Sequence, residues 1–278
     1  MLKQRVITAL VLLAILLPAL FYPTAIPFSA LAVVLISAGA WEWGRLNGYG
    51  PMASLGAGFA CVVLCAMAWD LGMLEQRLPL LWRLAGAAWV LVGAWLLRGG
   101  VAGWSRIPRV VRLVVGIFAL WLAWLAVAQA RFIGIEFLLS LLLLVWVADI
   151  GAYFAGKGLG GRFSKGKLAP AISPGKSWEG VWGGMVGVLV LCIAWVVLDT
   201  TGDSLYARLT ALYGLPLTLL AMIFLAAFSV VGDLVESLVK RSAGAKDSSG
   251  LLPGHGGVLD RVDALVPVLP LALMLVSV

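Results

Sequence analysis

Of the 278 residues, 63% are hydrophobic and only 12% are charged, about half the charged share of an ordinary soluble domain. The apolar residues come in runs long enough to cross a bilayer, which excludes a water-soluble globular enzyme. Three cysteines inside apolar runs exclude a disulfide framework. The net charge of +7 suits anionic lipid headgroups or nucleotide phosphates.

The predicted fold is all-α, a polytopic integral membrane protein with about nine transmembrane helices. They lie near residues 5–22, 25–46, 52–69, 79–97, 109–130, 134–155, 177–198, 210–239 and 258–277, separated by proline, glycine and charge. The first run, Val6 to Phe21, is longer than the apolar core of a secretory signal and is followed by further spans, so it reads as a retained helix. In the third span, Cys61 and Cys65 sit one helical turn apart with no nearby histidine, and they read as small buried apolar side chains rather than a metal pair. With the N-terminus inside, the inner connections receive sixteen Lys and Arg residues and the outer ones only Arg77, Arg83, Arg131 and Arg208. That bias places the long polar loops 156–176 and 240–257 on the cytoplasmic side.

Asp149 and Tyr153 share a face at the end of the sixth span. The glycine-rich loop that follows carries Lys157, Arg162, Lys165, Lys167 and Lys176. Its Gly161–Leu168 segment imitates a P-loop, but Leu168 stands where a hydroxyl is needed for metal, and no strand precedes it. At the start of the seventh span Ser177 reads as a cap, with Glu179 in the first turn, leaving Lys176 as a cation at the mouth. Gly180 with Gly184, and Gly183 with Gly187, have small-xxx-small spacing, which predicts close helix packing and leaves a homodimer open.

The stretch Asp233–Asp263 holds five acidic side chains, four basic ones, five glycines and the only histidine. Such a density of charge beside apolar spans is a functional signal, because unpaired charge at a membrane is costly. Glu236 and Lys240 can pair at i,i+4 in the interface, but Asp233 lies seven residues, about 10 Å, deeper. Glycines around His255 let backbone amides approach a ligand, although an ordinary turn also uses them, and His255 itself fits hydrogen bonding as well as phosphate contact. Asp260 and Asp263 open the ninth span; capping explains one of them. Antiparallel packing of the last two spans would set Asp260 beside Asp233 as oxygen ligands for a hard cation, most naturally Mg²⁺.

The runs SLVKR at 237–241, Lys246-Asp247 and GHGGVLDRVD at 254–263 resemble the signature of the phosphatidate cytidylyltransferases, or CDP-diacylglycerol synthases. The match has no gap from Ser237 to Asp263. Asp149 to Tyr153, SPGKSWEG at 173–180 and Trp41-Glu42-Trp43 also fit the bacterial members, whereas Gly175 and Ser177 stand where Lys and Thr are common. The resemblance implies transfer of CMP from CTP to phosphatidate, with Asp233 and Asp260 as Mg²⁺ ligands and room for a second, monovalent cation such as K⁺. Alongside it, Asp263 and Asp149 are expected as looser ligands. Lys176, Lys240, Arg241, Lys246 and Arg261 are expected to neutralise phosphates, and Ser237, Ser173, Tyr153, Asp247, His255, Gly256 and Gly257 to contact substrate. Residues 1–132 then form an N-terminal half of about five spans, and residues 133–278 the catalytic half.

The expected partners are CTP, phosphatidate and membrane lipid, with no nucleic acid, and the expected location is the cytoplasmic (inner) membrane. The alternatives are a CTP-dependent lipid kinase, a cytidylyltransferase for another lipid phosphate, and a cation-coupled transporter. The last fits less well, since the charges gather at one membrane face and no repeat is evident.

Overall fold

The computed structural model describes residues 2–164 and 166–277; Lys165 and the side chain of Lys3, both counted above as inner-side cations, lie outside the described residues. In chain order the elements are α1 (Leu2–Phe21), α2 (Ile26–Leu46), α3 (Pro51–Asp70), α4 (Pro79–Arg106), α5 (Arg109–Ile133), α6 (Ile135–Leu159), β1 (Lys167–Ala169), β2 (Ser173–Ser177), α7 (Trp178–Leu198), α8 (Leu205–Ser242), α9 (Leu259–Val262) and α10 (Leu265–Val276). Among the described residues α1 to α8 are long and apolar enough to cross a membrane. The shortest of them, α1 and α3, have 20 residues, about 30 Å of helix and the thickness of a bilayer core. The protein is an all-α polytopic membrane protein.

Three spans differ from their sequence outlines. α4 runs on to Arg106 through Gly100, whose φ of 60° breaks the helical path without ending it. α8 has a similar break at Gly214, φ 77°, just before Pro216, which cannot donate to the preceding turn. The ninth segment lacks one hydrogen bond. Pro267 has no N–H for the carbonyl of Asp263, which separates α9 from the 12-residue α10, but Asp263 and Ala264 between them keep helical dihedrals, so the path stays helical from Leu259 to Val276. The released carbonyl faces Gly232 of α8 so closely that a Cβ at Gly232 would overlap it. α10 is about 18 Å long, and its residues Val266 to Leu273 are buried among α4, α5, α6 and α8. With α9 it forms the expected ninth helical segment, placed at the centre of the bundle.

The remaining core is closed by aromatic side chains whose polar tips find acceptors. Trp82 donates to Gln129 Oε1 (3.1 Å), Trp124 to the Ser29 carbonyl (3.1 Å) and Tyr206 to the Ser140 carbonyl (2.9 Å). Cys61, Cys65 and Cys192 are buried free thiols. Arg131 is buried as well, donating to the Leu20 and Tyr22 carbonyls at the open end of α1.

α6 and α7 pack backbone to backbone through small residues. A Cβ at Gly184 would come within 2.7 Å of the Ala148 carbonyl, and one at Gly180 within 2.9 Å of the Ala152 carbonyl, while Gly183 abuts Ala155. The small-residue face of α7 is therefore used within the chain. Gly183→Val is expected to cost about 1–3 kcal/mol by overpacking, seen as a lower melting temperature in detergent. An unchanged melt would show that α6 and α7 can separate freely.

Candidate active site

Asp233, Glu236, Ser237 and Lys240 follow one another at helical spacing and form one face at the end of α8. Glu236, Ser237 and Lys240 are buried there. Two other segments bring side chains to this face. The α9 turn supplies Asp260 and, just after it, Asp263. The antiparallel hairpin β1–β2, with Lys167 opposite Ser177, carries Lys176 across to α8. At the end of β2 the Ser177 hydroxyl accepts from the Gly180 N–H (3.2 Å), the N-terminal cap the sequence indicates.

One oxygen from each of Asp233, Glu236 and Asp263 lies within 4.8 Å of the others. Asp263, rather than Asp260, is thus the residue grouped with Asp233. The Lys176 ammonium pairs with Asp233, whose Oδ1 also accepts from Ser237 Oγ (3.1 Å). Lys240 lies between two carboxylates, 2.5 Å from Glu236 Oε2 and 2.6 Å from Asp260 Oδ1. This is no interfacial pair with its charges in water, as the i,i+4 spacing alone suggests, but a buried bridge from α8 to α9. Asp260 Oδ2 is fully used, accepting from the N–H and hydroxyl of Ser248 and the N–H of Gly257, each at 2.8 Å. Its Oδ1, bonded only to Lys240, keeps a lone pair.

These residues fit a hard cation. The donors are all oxygens, and four carboxylates against two ammonium groups leave a charge deficit that one divalent ion would balance. Glu236 Oε2 is paired with Lys240, but its Oε1 is buried without a hydrogen-bond partner, which is costly unless a further cation or donor reaches it.

Beside the cluster, α6, α7, α8 and β2 enclose a cavity of about 450 Å³. Asp149, Lys176 and Asp233 supply its polar wall, and Ala148, Ala152, Gly180 and Gly184 make the room. Tyr153 is exposed at its rim, with the Lys157 ammonium 5.7 Å from its ring centre.

The other expected contacts are distributed around this centre. Arg241 is exposed and donates to the Ala245 carbonyl (2.9 Å); Arg261 donates twice to the His255 carbonyl (3.1 and 2.8 Å). Lys246 and Asp247 are exposed at the loop surface, and Ser173 begins β2 opposite Ala169. The glycines have an internal reason. Gly254 and Gly256 take φ of 78° and 83°, where L side chains are strained. A Cβ at Gly256 would also lie 2.7 Å from Asp260 Oδ2, and one at Gly257 would overlap Glu42 and Ser248.

Glu42 is the residue that sequence reasoning missed. It is 0% exposed, and it accepts from the N–H groups of Val258 (2.9 Å) and Leu259 (2.8 Å) and the hydroxyl of Ser249 (2.5 Å), with the Ser248 hydroxyl, whose proton goes to Asp260, 3.2 Å away. The available signal was a lone acid inside an apolar span. Glu179, read as a first-turn acid, also gathers backbone: it accepts from Phe163 N (3.1 Å) and from Ser164 N and Oγ (both 2.8 Å), folding the first loop onto α7.

The model of the cytidylyltransferase family matches residues 3–278. A phosphatidate cytidylyltransferase of Pseudomonas aeruginosa is 42% identical over 281 residues, covering 97% of this chain and 95% of its own length. One from Haemophilus influenzae is 37% identical over 97% of this chain and 96% of its own length. One from Bacillus subtilis is 42% identical over 144 residues, 52% of this chain and 48% of its own length. A membrane-embedded carboxylate and lysine centre of this kind, in a chain matched almost from end to end, makes the protein a nucleotidyltransferase that belongs to the cytidylyltransferase family.

Proposed function

We propose that the protein is a phosphatidate cytidylyltransferase of the inner membrane, with its active site at the cytoplasmic face, forming CDP-diacylglycerol and pyrophosphate from CTP and phosphatidate. The observation that carries this reading is the cluster of Asp233, Glu236, Asp260 and Asp263 with Lys176 and Lys240, set beside a cavity among apolar helices. A polar nucleotide and a diacyl lipid need such a boundary between water and bilayer. The names of the relatives support the choice of lipid and nucleotide.

A phosphate monoester has a second pKa of about 6 and is largely dianionic at neutral pH. It can attack the α-phosphorus of CTP without a dedicated base, forming the new P–O bond as the bond to pyrophosphate breaks. The difficulty is repulsion between two polyanions, so the protein's part is positioning and charge neutralisation. Asp233 and Asp263, with the remaining lone pair of Asp260 Oδ1 and with Glu236 adjacent, would hold Mg²⁺; Asp149, across the cavity, would act more loosely. The ion would supply neutralisation of phosphate charge. Lys176 is placed to exchange its partner Asp233 for a phosphate oxygen, and Lys240 holds the α8 and α9 carboxylates in register. Arg241, Lys246 and Arg261 keep guanidinium or ammonium groups at the surface of the same end, where CTP would arrive.

The test is purified protein with phosphatidate, radiolabelled CTP and Mg²⁺. CDP-lipid with release of pyrophosphate is the expected product, and CDP with a newly phosphorylated alcohol would instead make the protein a lipid kinase. Lys157→Ala is expected to keep kcat within about fivefold, because an exposed charge is worth only up to about 1 kcal/mol. A loss as large as that at the carboxylates would move the phosphate path to the α6 side of the cavity.

A further inference from the structure

We propose that Glu42 is a positioning residue for cytidylyl transfer, a clasp on α2 that fixes the loop between α8 and α9 and so sets the place of Asp260 and Lys240. The inference rests on the catalytic reading for its kinetic consequence only. Glu42 is 0% exposed and therefore has no surface to offer a substrate. Its two oxygens take separate donors. Oε1 accepts from Val258 N–H and the Ser249 hydroxyl, and Oε2 accepts from Leu259 N–H with Ser248 Oγ alongside at 3.2 Å. The donors come from both ends of one excursion, Ser249 where it begins and Val258 and Leu259 where it returns. A single carboxylate therefore closes the loop.

The clasp leads into the reacting centre by a short path. The Ser248 hydroxyl lies 3.2 Å from Glu42 Oε2 and 2.8 Å from Asp260 Oδ2, and Asp260 Oδ1 holds Lys240 at 2.6 Å. Gly257 belongs to the same device, since any side chain there would occupy the space of the Glu42 carboxylate and the Ser248 hydroxyl. Three donors, the N–H groups of Val258 and Leu259 and the Ser249 hydroxyl, converge on Glu42 with no cation beside it. The two backbone N–H groups point at different oxygens, so both ends of the group must accept, which a carboxylate can do and an amide cannot.

Glu42→Gln, equal in shape, turns an NH₂ group toward a backbone N–H, that of Val258 or that of Leu259, whichever way the amide lies. Glu42→Asp is a methylene shorter but keeps acceptors only. The expected order of kcat is wild type, then E42D, then E42Q, with E42Q down about 100-fold and the KM for CTP within about threefold. A residue that merely fills space would give the reverse order, with E42Q near wild type, and that result would overturn the proposal. Hydrogen exchange read on the peptide covering Val258 and Leu259 gives a measure independent of turnover. Exchange there is expected to quicken at least about tenfold in E42Q, and unchanged exchange would equally overturn the clasp. Should E42Q fail to survive extraction, Ser249→Ala keeps the carboxylate and removes one donor. It is expected to speed exchange at the same amides, and no change there would count against the proposal. If the exchange result holds while wild-type protein makes no CDP-lipid, the clasp stands and the proposed reaction fails.

Discussion

Asp233→Asn is expected to lower kcat by about 10³-fold while leaving the protein folded. Asp233 is the carboxylate on which the two parts of the centre meet: it groups with Glu236 and Asp263, pairs with Lys176 from the hairpin, and faces the cavity with Asp149. The amide keeps the size and can still accept from Ser237. It removes one negative charge from the cation site and leaves Lys176 without its counter-ion. Losing one preorganised charge partner of a phosphoryl transition state costs a factor of this order. Pyrophosphate release in detergent micelles, with a melting curve to verify folding, measures it. Turnover above about a tenth of wild type would place the cation away from Asp233.

Lys240→Met should be more damaging to the fold than any other single change at the site. The ammonium is buried between Glu236 and Asp260. Methionine fills the stem but leaves two carboxylates facing each other without compensation. Removing one member of such a group costs about 3–5 kcal/mol, a large fraction of the stability of an ordinary domain. The expected result is a clear fall in melting temperature together with loss of turnover. Glu236→Gln in the same background should recover part of the stability, because it removes one of the two stranded charges. A K240M protein that melts like wild type would mean that the α8–α9 bridge carries no stability.

What the sequence made legible followed from local composition. Uninterrupted apolar runs mark α1 to α8, and a dense charge cluster marks the end of α8 and the α9 turn. The errors lie where a local signal has two physical outcomes. Arg98-Gly-Gly reads as a connection, and the non-helical Gly100 does break the path there, but a second helical segment carries α4 on to Arg106. The run from Leu259 to Val276 reads as a span and is helical throughout, but nothing local tells that Pro267 frees one carbonyl or that neighbouring helices enclose it. The hairpin at 167–177 has strands of three and five residues, too short and too polar to show a period. Glu236 with Lys240 was legible as a pair but not as a bridge, since the third partner, Asp260, is 20 residues away. Glu42 was the least accessible of all: its Val258 and Leu259 donors lie 216 and 217 residues further along the chain, and no local pattern encodes a contact of that separation.

That separation has a consequence for biogenesis. The Thr8 hydroxyl donates to the Pro253 carbonyl (3.0 Å) and Arg5 packs against Gly254, so α1 joins α2 in holding the last polar loop. These three side chains enter the membrane early in synthesis and wait for the translation of more than two hundred further residues before their partners exist. During that interval Glu42 is an unsatisfied acid on an apolar helix, which the translocation machinery must tolerate or shield. The polar loop that carries Asp260 can therefore take its final place only once residues near both ends of the chain have been made and brought together.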